Sequence, residues 1–150
     1  MFDIQDLYQE VIVDHNRSPR NFHRMEDATR KAEGFNPLCG DRLTVYMKIE
    51  DNIVKDVSFE ASGCAISVAS ASLMTQQIKG KSEQEVDKLF HEFQDMVTAD
   101  VNTPVDTSKL GKLAALAGVR RFPMRVKCAT LCWHTLKAAQ EGKTQTAITE

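Results

Sequence analysis

The sequence predicts an α+β fold, a small antiparallel sheet of about three strands with helices packed on one face. Three observations lead there. Leu43–Ile49 and Ile53–Phe59 alternate apolar and polar residues around Asp51-Asn52, which is the pattern of a β-hairpin. One stretch with helical spacing precedes the hairpin and several follow it. Strands grouped first and helices grouped after them place the helices together on one side of the sheet. At 150 residues the chain is the size of a single domain, 1–150. Its polar last residues, 143–150, read as a flexible tail.

In order along the chain, Phe2, Ile4, Leu7, Tyr8, Val11 and Ile12 recur with helical spacing, and Asp3 is placed to cap a helix over about 3–16. Residues 17–38 are polar and irregular, with one short strand near Lys31–Phe35. The hairpin follows. Beyond Ser62-Gly63, small and apolar residues from Cys64 to Ile78 predict a closely packed helix that stops at Gly80. Ser82-Glu83-Gln84-Glu85 has the form of a capping box and opens a helix striped by Val86, Leu89, Phe90 and Phe93. Thr103-Pro104 breaks the chain, Leu110–Ala117 reads as a short helix ending at Gly118, and Val126 to about Gln140 as the last helix.

Composition removes several function classes. With 42% hydrophobic residues the chain can close a core without disulfides, and a net charge of −2 argues against a nucleic-acid or membrane-surface role. No run approaches the ~20 apolar residues of a membrane span. The start, MFDIQDLYQEVIVDH, lacks the basic and apolar blocks of a signal peptide, so a cytoplasmic location is expected.

In a reducing compartment Cys39, Cys64, Cys128 and Cys132 invite a metal or redox reading. There is no CxxC, and the steps of 25, 64 and 4 residues match no local metal motif, so any site must be assembled by folding. Cys39 lies in the loop Asn36-Pro37-Leu38-Cys39-Gly40-Asp41, Cys64 heads a helix, and Cys128 is expected at the start of the last one. Helix N-termini favour thiolates. If these ends converge, three thiolates and the Asp41 carboxylate make a tetrahedral zinc site. Zn²⁺ cancels two of their four negative charges, and Arg42, Arg125 and Lys127 are placed in sequence to offset the rest. The alternative is plainer: Cys39 in a loop, Cys64 and Cys128 packing as small hydrophobes, and Asp41 a solvated turn carboxylate.

Three ordered motifs, Phe35-Asn36-Pro37-Leu38-Cys39-Gly40-Asp41, Ser62-Gly63-Cys64-Ala65-Ile66-Ser67 and Arg125-Val126-Lys127-Cys128-Ala129-Thr130-Leu131, resemble the iron–sulfur cluster assembly scaffold family of IscU and the NifU amino-terminal domain. The resemblance runs from the first helix to about residue 142. Within the family the chain is similar to the SufU branch. Lys127 stands where IscU-type proteins have a histidine, and the step from Cys64 to Cys128 includes an insertion of roughly twenty residues within Glu83–Thr103. The segment Phe122–Lys127 departs from the family's chaperone-recognition motif.

The resemblance implies a zinc-dependent sulfurtransferase-like protein for iron–sulfur cluster assembly. Zn²⁺ would be held by Cys39, Asp41, Cys64 and Cys128. Cys39 would accept persulfide sulfur from a pyridoxal-phosphate-dependent cysteine desulfurase of SufS type, for downstream iron–sulfur assembly proteins. Apart from the resemblance, the place of Arg125 in the sequence suggests that it balances charge beside the site. A second reading is a scaffold on which a [2Fe–2S] cluster forms transiently and is passed on, since thiolates suit both metals. A third is a binding module with a purely structural zinc. A zinc hydrolase is disfavoured because there is no HExxH pair.

Among the remaining candidates, Cys132 reads as buried packing and His134 as a packing or surface histidine. His15, His23 and His91 are expected on the surface, and Trp133 in the core. Met47, Met74, Met96 and Met124 are expected as gap-filling or surface residues. Lys109, Lys112, Arg120 and Arg121 form a basic edge expected to face solvent.

Overall fold

The computed structural model describes residues 4–142 and 147–148 of the chain. Helix α1, Ile4–Arg17, leads through an irregular segment into β1 (Arg30–Asn36), β2 (Asp41–Glu50) and β3 (Ile53–Ser62). Helices α2 (Ala65–Ile78), α3 (Glu83–Thr98) and α4 (Thr107–Leu110) follow. A 3-10 segment, Gly111–Arg121, then delivers the chain to α5, Pro123–Gln140.

The three main strands are antiparallel. A short β4, Ala147–Ile148, pairs parallel to Gly34 and Phe35, so the strand order is β3-β2-β1-β4. The remaining residues expected in the tail, 143–146 and 149–150, lie outside the described residues, as does the expected cap Asp3.

The hairpin turns where the sequence says it should. Asp51 and Asn52 both adopt positive φ, 54° and 62°, a combination that matches the right-handed twist of the flanking strands. Alternation sends Asp41, Leu43, Val45 and Met47 to the helical side, all buried, and leaves Arg42 exposed on the other face. There its guanidinium stacks over the Phe35 ring at 4.3 Å. Arg42 therefore cannot serve the charge-balancing role expected of it beside Asp41.

Helices α2 and α5 lie on that inner face, with α1 outside α2. The capping box of α3 is complete: Ser82 Oγ accepts from the Glu85 N–H at 3.1 Å, and Glu85 Oε1 accepts from the Ser82 N–H at 3.2 Å. The buried stripe of α3, with Val86, Leu89 and Phe93, faces inward. Phe93 stacks on fully buried Trp133, ring centroids 4.9 Å apart.

Two helix boundaries differ from expectation. Residues 110–117 are largely 3-10 rather than α, and the segment runs through Gly118 to Arg121. Gly118 does not end a helix. A Cβ there would meet the Tyr8 ring at 2.6–3.0 Å, so this glycine lets α1 press flat on the segment. Helix α5 starts at Pro123, whose fixed φ and missing N–H suit a first helical position. Cys128 consequently sits in the second turn, without the free N–H groups expected around it. No helix among the described residues is long and apolar enough to cross a membrane.

Candidate metal centre

Four chain segments meet at one end of the sheet. Asn36 closes β1, and Gly40 donates its N–H to the Asn36 carbonyl at 2.8 Å, drawing 36–40 into a tight turn that presents Cys39. Gly40 has φ 73°, a left-handed conformation that its missing Cβ permits. Asp41 opens β2 and is fully buried. Cys64 is the N-cap residue of α2, and Cys128 comes from α5.

The packing that joins them is specific. Asp41 Oδ1 accepts the Cys64 backbone N–H at 2.7 Å, which satisfies a donor at the start of α2, and Oδ2 lies 3.6 Å from Cys64 Sγ. Gly63 makes this approach possible, because a Cβ at that position would overlap the Asp41 carboxylate and come within 2.8 Å of its Cγ. The Cys128 thiol is 3.4 Å from Cys39 Sγ. One ligand atom from each of Cys39, Asp41 and Cys128 lies within 4.8 Å of the others. Cys64 joins that group through Asp41.

The Cys39–Cys128 separation suits a tetrahedral cation, and Cys64 would complete the set by closing on Asp41. Zinc–sulfur bonds of ~2.3 Å set sulfurs about 3.8 Å apart, so small shifts of the side chains would enclose the ion. A buried carboxylate beside three thiols is also a donor set whose negative charge a divalent cation relieves. The Cys128 side chain lowers the Cys64 thiol most, and the Ser67 and Ile66 N–H groups at the open end of α2 add to that pull. Burial opposes them, and the Cys64 thiol is lowered to about 7. Cys128 is pushed up, first by the Cys64 side chain and then by burial.

Exposure grades the three sulfurs. Cys39 is exposed, Cys64 half-buried and Cys128 buried. An open groove of about 690 Å³ reaches all three, walled by Ile12 and Val13 of α1 and by Phe122 and Met124. Val13 and Met124 are about half exposed, an apolar lining unusual beside polar ligands. Arg125 lines the same groove, its guanidinium over the Phe122 ring at 4.3 Å and Nη1 3.4 Å from the Tyr8 hydroxyl.

The structure thus brings Cys39, Asp41, Cys64 and Cys128 together. It keeps Cys132 out of the site: that thiol is fully buried, 3.4 Å from Ser70 Oγ, and burial pushes it up to about 12. His134 is a packing residue, half-buried with its ring 5.5 Å from that of Phe90. Met47 and Met74 fill the core, Met96 is buried, and Met124 is exposed. His23 and His91 are exposed as expected.

His15 is not. It is 1% exposed, with Nδ1 2.7 Å from Ser72 Oγ. Its position on the stripe of Tyr8 and Val11 was the available signal, since 8, 11 and 15 share a helical face. Of the basic edge expected to face solvent, Arg120 is half-buried and its guanidinium donates to the Ala117, Asp100 and Thr103 carbonyls. Lys112 and Arg121 are exposed, and the side chain of Lys109 lies outside the described residues. Asn36 and Gly63 are not among the expected site residues. Both stand directly in the motifs, and an Asn-Pro step is itself a turn signal.

Known proteins of similar sequence and fold place the chain in a family. The chain is 43% identical over 143 residues to the zinc-dependent sulfurtransferase SufU of Bacillus subtilis, covering 93% of this chain and 95% of that protein. It is 41% identical over 133 residues to the iron–sulfur cluster assembly scaffold protein IscU of Thermotoga maritima, covering 89% and 92%. A crystal structure of a protein described as an iron–sulfur cluster assembly scaffold for the SUF system, from Fervidobacterium islandicum, superposes with a TM-score of 0.80. That match has 36% identity and covers 90% of this chain and 97% of the other. The model of the NifU-like N-terminal domain matches residues 7–129, and with these likenesses the chain belongs to that family of iron–sulfur cluster assembly proteins.

Proposed function

We propose that the chain is a zinc-dependent sulfur acceptor that takes persulfide sulfur from a pyridoxal-phosphate-dependent cysteine desulfurase of SufS type. The work would be done in the cytoplasm, for downstream iron–sulfur assembly proteins. One observation carries the reading: of the three gathered sulfurs, the exposed one, Cys39, is also the one held on a turn rather than on a helix. The likeness to SufU supports it.

Cys39, Asp41, Cys64 and Cys128 would hold the zinc, which supplies positive charge that keeps the thiols deprotonated at neutral pH. Cys64 and Cys128, fixed on α2 and α5, keep their places while the Cys39 turn moves into the groove. The Cys39 thiolate attacks the outer sulfur of the donor's persulfide. A new S–S bond forms, the donor's S–S bond breaks, and the donor cysteine leaves as a thiolate. No net electrons are exchanged. Arg125 stands at the groove to balance the anionic partners.

The test has two parts. Metal analysis of the purified chain should give one zinc per molecule, and adding the chain should raise desulfurase turnover. Cys39→Ala should fold yet abolish the rise; full stimulation by that variant would remove the acceptor role.

The likeness to IscU proteins favours a second reading, a scaffold for a [2Fe–2S] cluster carried as cargo. Anaerobic reconstitution followed by transfer to an apo-acceptor separates the two: colour with transfer favours the scaffold, colour without transfer the sulfur acceptor.

A further inference from the structure

Asn36 is fully buried although it precedes Pro37 and an exposed turn. Its side chain works in two directions. Oδ1 accepts the Leu38 N–H at 3.1 Å, inside the turn that carries Cys39. Nδ2 donates to Cys128 Sγ at 3.8 Å, across to α5. The orientation of the amide follows from its partners, because the Leu38 N–H can only donate and so must face the oxygen. The Asn36 carbonyl takes the Gly40 N–H as well. One residue therefore holds both flanks of Cys39 and reaches the sulfur that lies 3.4 Å from it.

We propose that Asn36 is a positioning residue that ties the Cys39 turn to the fixed Cys128 sulfur and so sets how readily the Cys39 sulfur leaves the group. The purpose rests on the sulfur-acceptor reading, while the tie is made between protein atoms. A neutral amide is the fitting side chain, because it combines one acceptor for the turn with a donor for the sulfur. An ionised carboxylate keeps the acceptor, lacks the donor and adds repulsion. An N–H···S bond also withdraws electron density from a sulfur that ligates a metal, which changes the ligand's spectrum.

The experiment follows alkylation by iodoacetamide at each cysteine by mass spectrometry. It uses the full chain, zinc-loaded and metal-free, in wild type, Asn36→Ala and Asn36→Asp. Loss of the tie should raise the Cys39 rate roughly three- to tenfold in both forms, with Cys64 of the same molecules unchanged. In the cobalt-loaded chain, Asn36→Asp should shift the sulfur-to-cobalt charge-transfer band.

The proposal is overturned if Cys39 reacts at the wild-type rate in both variants, if Cys39 and Cys64 accelerate together, or if the Asn36→Asp band does not move. Should Asn36→Ala fail to fold, Asn36→Asp decides. Should the wild-type chain hold no zinc, the sulfur-acceptor reading falls, and the metal-free alkylation still decides the role of Asn36.

Discussion

The backbone N–H of Cys64 and the carboxylate of Asp41 are 2.7 Å apart, so the residue that opens β2 also caps α2. The same carboxylate sits against Cys64 Sγ at 3.6 Å. Asp41 thus has a structural partner and a candidate ligand role at once, and the two can be separated. Asp41→Asn keeps an acceptor for the amide and should fold with near-wild-type stability while losing most of its zinc. Asp41→Ala should lose the zinc and a further ~1.5–3 kcal/mol of stability, because a buried bond to a charged group is removed. Zinc content by mass spectrometry and urea melts of both variants check this; equal stability would refute the capping role.

Gly63→Ala should behave as a site mutation although it adds a single methyl. The new Cβ would overlap the Asp41 carboxylate. Overpacking of this kind costs about 1–3 kcal/mol, and here it also displaces Asp41 from the sulfurs. Zinc affinity should fall together with the urea midpoint. A variant that binds zinc like wild type would show that Asp41 has room the geometry denies it.

In the metal-free chain the thiols should react unequally. Cys64, lowered to about 7 by the Cys128 side chain and the α2 N–H groups, should be alkylated at a rate that rises through neutral pH. Cys132, pushed up to about 12 and fully buried, should stay unmodified until the chain unfolds. Peptide mapping after timed labelling reads both, and early labelling of Cys132 would contradict its placement in the core.

Burial, aided by Arg20, lowers His15 to about 4 from its ordinary 6.5. The folded chain therefore keeps His15 neutral where the unfolded chain protonates it. Stability from this residue is present above about pH 6.5 and is lost as the pH falls towards 4. The loss should reach about 3 kcal/mol across that window. Urea melts at several pH values should show the advantage of wild type over His15→Gln shrinking on acidification. A gap independent of pH would mean that His15 is not held neutral.

Much of the architecture was legible because local signals agreed with it. Asp51-Asn52 between two alternating runs fixed the hairpin, and Ser82 with Glu85 fixed the start of α3. Two of the three cysteine motifs fall at element boundaries, the Cys39 turn and the head of α2, where side chains from distant segments can meet, and Cys128 reaches them from the second turn of α5. What escaped depended on contacts between elements. Gly118 looks like a helix end in sequence, and only the Tyr8 ring against it explains the glycine. Arg42 looks close to Asp41 along the chain, yet a period of two sends neighbours to opposite faces. Asn36 has no chemistry of its own to announce it, and its value lies in what stands either side of it.

The candidate ligands reach from Cys39 to Cys128, positions 89 residues apart in the chain. A cation seated among them would act as a rivet between the sheet layer and the helical layer. Such a rivet is complete only once the two layers have met, so loading and folding are linked. Once set, it makes resistance to heat depend on free zinc, worth about 4 kcal/mol when the metal exceeds its dissociation constant a thousandfold. A melting temperature measured in a chelating buffer and one measured in zinc would then describe two different proteins.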